Sequence, residues 1–420
     1  MTQYSSKQLF LSHGVDYLSL ASRSQQKGYE TTIKHMIEGW ISAYKYVQQT
    51  IEETPLQPFL SSGSKLSWVH LLQSDYVPSH IQQHVSLYTE HLVSYDISIE
   101  GHRISIHYLV EDVLTKDAFD AMTAHIMHII AFLLPYKSKS CANDIDIVLF
   151  PSSFKKTMPK DRVEVLDTHH VNSAVTQVCN GAKNQIFIYR REECMKVLIH
   201  ELFHAFGLDF SIIQETHTQK KFNDIYGIRC DYRMYETYSE TWATIIHTIG
   251  KVYGMRDAWE TDTSKSPTMD DLYHTFVAMM SAEVAFSVFQ MNKMLDHMHL
   301  NYSLLTERKH EMRQLRRIAY REQSNVFAYY IAKMAVLIQQ VDFLGWCTTH
   351  NDNLLQFRNT FENVDLFCDF VIRVMQDGDT KVVAQKILDA IDKDVEDGTN
   401  GMDETTKETA RMTLFDMMEN

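Results

Sequence analysis

The sequence predicts an α+β fold that is mostly helical, in which a small twisted sheet leads into a short helix and a large helical lobe follows. Three patterns carry this expectation: two-residue alternation over 93–110, β-branched and aromatic runs at 144–150 and 185–189, and helical periodicity in nearly all that follows Gly254. Alternation places successive side chains on opposite faces of a strand, whereas apolar residues three and four apart line one face of a helix.

Residues 1–90 read as a helical region. Its clearest helix spans 29–53, with Pro55, Pro58 and Ser61-Ser62-Gly63-Ser64 marking the break after it. A region with strands, 91–210, begins with a hairpin in which 95–99 and 103–108 flank a Glu100-Gly101 turn. A helix over 116–134 and a buried strand at 144–150 come next. Cys179-Asn180-Gly181 then supplies turn chemistry ahead of the 185–189 strand, which is expected to offer its edge to an extended peptide. The helical lobe covers 211–395, with segments near 268–298, 308–341, 353–376 and 379–393. The acidic, polar tail 396–420 is expected to attach loosely.

Inside the apolar run 195–206 lies His200-Glu201-Leu202-Phe203-His204, a His-Glu-x-x-His pentapeptide. With 21 histidines in 420 residues, about 0.07 accidental matches are expected, so the context carries weight. A strand precedes the pentapeptide. Glu192 and Glu193 are expected in the first helical turn, at the positive end of the dipole, and Gly207 stands where the helix would stop. On that helix two histidines four apart face one way and can hold one metal ion, with Glu201 beside them as general base: the arrangement of metal-dependent peptide hydrolysis.

A catalytic site of this kind usually has three protein ligands and one open position. Asp209 reads as the cap of the Asp209-Phe210-Ser211 segment. Glu236 and Glu240 make a stronger pair, because they share a face of the apolar helical stretch 235–247, where two buried carboxylates call for a cation. Two histidines and a carboxylate suit Zn²⁺ and several other first-row ions.

The pentapeptide followed by a glutamate-bearing helix resembles the gluzincin group of zinc peptidases, including the thermolysin and neprilysin families. The resemblance implies a zincin-like fold with Glu236 as the third ligand and Glu240 orienting a histidine. The reverse assignment stays open, since Ala243 follows Glu240 at the position where close helix packing favours a small residue. It also implies an oxyanion donor from the helical lobe, for which Tyr329, Tyr330 and His247 are the candidates. Over about 171–335, the strings Val171-Asn172-Ser173-Ala174-Val175-Thr176, 196–211 and 324–333 are similar to uncharacterised metallopeptidase-like proteins of large DNA viruses, which implies a viral source.

Composition narrows the alternatives. A net charge of −14 argues against nonspecific nucleic-acid binding, which needs a basic surface. The 126–136 run is too short and too interrupted for a membrane span, and the first residues lack a signal-peptide pattern. The six cysteines are scattered without paired spacing, the pattern of reduced thiols in a cytoplasmic setting rather than a disulfide framework. The expected partner is a protein or peptide substrate. The competing expectation is an inactive, zinc-stabilised structural or binding protein, such as a virion component, which would use four protein ligands.

Overall fold

In the computed structural model, the described residues are 2–61, 68–88, 92–109, 115–141, 143–179, 181, 183–213, 216–256, 265–396 and 402–416. The expected breaks at Ser62–Ser64 and Asn180 lie outside them. The chain is mostly helical with one six-stranded mixed sheet, an α+β architecture.

The sheet runs β1 (Phe59–Ser61), β2 (Leu92–Ile99), β3 (His102–Leu109), β4 (Asp144–Leu149), β6 (Lys183–Ile188), β5 (Ala174–Thr176). β2 and β3 form the expected hairpin, with Glu100 and Gly101 at positive φ in its turn. β3, β4 and β6 are parallel, and β5 closes the sheet antiparallel to β6. Register aligns Ile106, Ile147 and Ile186 across three strands on one face. That face packs on the main core with the Arg23–Glu53, Lys116–Leu133 and Cys194–Ala205 helices. The alternate residues Val148, Phe150, Phe187 and Tyr189 join Trp68, Leu71 and Ile81 in a smaller core on the opposite face. Two-residue periodicity therefore sends alternate residues of β4 and β6 into two separate apolar cores, one on each face of the sheet.

Three expectations about elements are corrected. The 185–189 strand has no free edge, because β6 is flanked by β4 and β5; the edge beside the Cys194–Ala205 helix is β5. The 308–341 helix is broken: His310–Ala319 ends before an irregular stretch, and the chain resumes at Phe327–Ala332 as a wide π-turn. Glu322 accepts the Phe327 N–H at 2.8 Å, and Asn325 takes φ 48°, which no helix accommodates. The tail is not loose in its described part. Ala410, Met412, Thr413 and Leu414 are buried, and Glu283 accepts the Leu414 and Phe415 N–H groups.

The Lys116–Tyr136 and Met269–His297 helices are long and apolar enough to cross a membrane by length and composition, which the reading centred on 126–136 missed; two thirds of each apolar window is buried inside the fold. Cys141 and Cys179 form a disulfide, contrary to the expectation of reduced thiols throughout. They are 38 residues apart, so spacing carried no sign of the pairing. Tertiary structure brings both to the end of the Cys194–Ala205 helix, where the Cys179 N–H donates to His204 O and the Ser138 N–H to Phe206 O.

Candidate metal centre

The His200 and His204 side chains project from the buried Cys194–Ala205 helix, which follows β6 after five residues. The helix stops as its sequence predicts. Gly207 adopts φ 62°, its N–H donates to His204 O, and the Leu208 N–H donates to Phe203 O, a Schellman closure. A Cβ on Gly207 would lie 2.4 Å from Cys141 Sγ, so the disulfide leaves room only for glycine. The start differs from expectation. Helix begins at Cys194, and Glu193 precedes it at φ 59°, buried. Its carboxylate binds Lys156 Nζ at 2.9 Å and accepts the Met412 and Thr413 N–H groups, each at 2.7 Å, rather than serving the helix dipole.

The second half of the site comes from the Met234–Gly254 helix, packed against the first. Glu236 Oε2 lies 3.0 Å from His200 Nε2 and 3.4 Å from His204 Nε2, and the two Nε2 atoms are 3.1 Å apart. A tetrahedral ion with ligand bonds of about 2.0–2.1 Å separates its donors by about 3.3–3.4 Å, so this buried triangle matches a metal's coordination edge and could hold an ion.

The surroundings fix the imidazoles. His204 Nδ1–H donates to Asp209 Oδ2, and His200 Nδ1 lies 3.0 Å from Glu240 Oε2. With Nδ1 as the protonated nitrogen of each ring, neutral imidazoles turn two Nε2 lone pairs and a carboxylate oxygen toward one point, which is repulsive without a cation. Protons are the alternative to a metal, and the same demand appears in the titration. Burial opposes charge on His204, yet Asp209 and Glu236 raise its pKa well above the ordinary imidazole value. Burial likewise works against the Glu236 carboxylate, but His200 and His204 hold its pKa far below the usual range.

Glu240 is not part of the triangle. It binds Lys196 Nζ, lies 3.5 Å from Lys333 Nζ, and reaches the outer nitrogen of His200. Burial raises its pKa, and the two lysines with His200 outweigh that and depress it strongly. Asp209 does more than cap the segment after it. It does accept the Ser211 N–H at 3.1 Å, but its other oxygen receives His204 and the Ser239 hydroxyl. Asn325 was not foreseen as a site residue: from its left-handed position, its Nδ2 donates to Glu236 Oε1 at 3.3 Å. The lone lysine at 196, one turn before His200 in an apolar run, was the available sign of a buried acidic partner.

A cavity of about 160 Å³ opens onto the triangle. Glu201, the 171–176 edge segment, Arg233, Tyr235, Asn325 and Tyr329 line it. Burial raises the Glu201 pKa, opposed by His200 and His204. Tyr329 sits with its ring 5.9 Å from that of His200. Tyr330 and His247 lie elsewhere, since their side chains bond Ala410 O and Phe415 O in the buried C-terminal segment. Comparison with protein-family models, curated proteins and solved structures found no match for the chain.

Proposed function

We propose that this chain is a zinc-dependent peptidase of zincin-like, gluzincin type, hydrolysing peptide bonds in a protein or peptide substrate. The observation that carries the reading is the convergence of His200 Nε2, His204 Nε2 and Glu236 Oε2 at 3.0–3.4 Å on a cavity that Glu201 also lines. When bound there, a zinc ion supplies Lewis acidity and lowers the pKa of a water. The residues divide the remaining work. Glu201 takes the proton from the attacking water and hands it to the leaving amine nitrogen. Asp209 and Glu240 hold the two imidazoles in the orientation that points Nε2 inward, and Asn325 does the same for the Glu236 carboxylate. Tyr329 is the hydroxyl donor from the helical lobe that faces the developing oxyanion.

The competing reading, a structural zinc site in a binding protein or virion component, calls for closure by a fourth protein ligand. Glu240 was the residue available for that role, and its engagement with Lys196, Lys333 and the outer nitrogen of His200 favours an open position and turnover. The test is cleavage of a diverse peptide library by the zinc-loaded protein beside its Glu201→Gln variant. Cuts made by the parent and lost in the variant are expected; an absence of cuts from both would favour the structural reading.

A further inference from the structure

Among the described residues, three lysine or arginine side chains line the cavity. Lys156 and Lys196 are 2% and 1% exposed and paired with Glu193 and Glu240. Arg233 is different: its side chain is 24% exposed, so it is the one of the three that an entering ligand meets in water. It immediately precedes the Met234–Gly254 helix and accepts the Glu236 N–H at 3.0 Å, which places it one turn from the metal triangle.

Arg233 is also held in position. Its Nη1 donates to the Tyr76 hydroxyl at 2.7 Å, and its guanidinium sits 5.9 Å from the centroid of the Tyr76 ring. Tyr76 is tied to the sheet side, because its carbonyl accepts from the Tyr189 hydroxyl at 3.0 Å and from Asn172 Nδ2 at 3.5 Å. Both residues line the cavity. The Arg233–Tyr76 contact therefore joins the helical wall to the sheet wall and bounds the cleft with a positively charged, oriented fork. Among the described residues its carboxylate partner is Asp231, 69% exposed and 3.3 Å away, an ion pair that exchanges readily with a competing anion. A guanidinium fork recognises carboxylates by paired N–H donors.

Building on the peptidase reading, we infer that Arg233, clamped by Tyr76, is a specificity-determining residue that binds a carboxylate of the substrate peptide. Arg233 stands three residues before Glu236 and lines the same cavity as the triangle, so the bound carboxylate belongs to the C-terminus or to an acidic side chain close to the scissile bond. The 171–178 stretch of the wall mixes valine and alanine with Asn172, Ser173 and Thr176 and carries no competing charge.

The test measures peptide binding to the zinc-loaded Glu201→Gln protein, which separates recognition from turnover. The probes are an N-acetylated alanine-tyrosine hexapeptide with a free C-terminal carboxylate, its C-terminal amide, and the amide bearing one glutamate near that end. The free acid or the glutamate peptide is expected to bind about 10- to 100-fold more tightly than the plain amide, and which of them does so identifies the carboxylate. Adding Arg233→Gln should abolish the difference, and Arg233→Lys should retain part of it, with zinc content and thermal midpoint unchanged in both. Equal binding of all three peptides, or an acid preference that survives Arg233→Gln, overturns this inference and leaves the peptidase reading standing. Binding of no peptide to the zinc-loaded protein overturns both.

Discussion

His204 donates its Nδ1 hydrogen to Asp209, five residues further along the chain, across the helix stop at Gly207. The turn that ends the helix thus also returns a carboxylate to the back of a histidine whose front faces the candidate metal. Ser211 and Ser239 hold that carboxylate in place. Replacing Asp209 with asparagine should leave the fold intact and weaken zinc binding about 10- to 100-fold, the usual effect of losing a group that orients a ligand. Competition with a chromophoric chelator measures this; unchanged affinity would remove Asp209 from the site.

Glu236 and Glu240 should separate cleanly. Glu236→Gln removes a donor from the triangle and should eliminate stoichiometric zinc. Glu240→Gln should retain a weaker site but lower the stability of the metal-free protein, because Lys196 and Lys333 are left with an uncompensated buried charge, a defect that typically costs about 3–5 kcal/mol. Zinc analysis and denaturant melts of both variants check the assignment. Loss of zinc in Glu240→Gln with retention in Glu236→Gln would reverse it.

Acid should weaken the hold of the core on the C-terminal segment. Burial favours the neutral form of Glu193, but Lys156, Lys196 and Arg411 bring its pKa down to about 2 from an ordinary 4.5. A depressed folded-state pKa contributes stability that is fully present above the unfolded value. That contribution fades as pH falls from about 4.5 toward 2 and amounts to ~3 kcal/mol. Melting temperature recorded between pH 6 and 3 should therefore drop more steeply for the parent than for Glu193→Gln. Parallel curves would contradict this account.

The Cys141–Cys179 disulfide closes a loop of 38 residues, and a loop of that length corresponds to about 4 kcal/mol of lost unfolded-state entropy. The Cys141→Ser, Cys179→Ser double variant should lose ~2–4 kcal/mol in chemical denaturation, and added reductant should lower the parent toward it. A difference below about 0.5 kcal/mol, or free thiols at both positions in the native protein, would count against the bridge.

The sequence by itself determined the local parts. Two-residue alternation dictated β2 and β3, β-branched and aromatic runs dictated β4 and β6, and 3.6-residue periodicity dictated the long helices. The four-residue spacing of His200 with His204, and of Glu236 with Glu240, put each pair on one face of its helix. These are properties of neighbours along the chain, written in side-chain type and spacing. Tertiary structure alone decided which glutamate faces the histidines, because both carboxylates share a face and only the crossing of the two helices selects between them. It likewise brought Asp209, Asn325 and Arg233 to the site, joined Cys141 to Cys179, and turned an acidic tail into a buried segment bonded to Glu193 and Glu283. Each of these is a contact between polar groups distant in sequence, satisfied only where packing has removed water, and no periodicity encodes that.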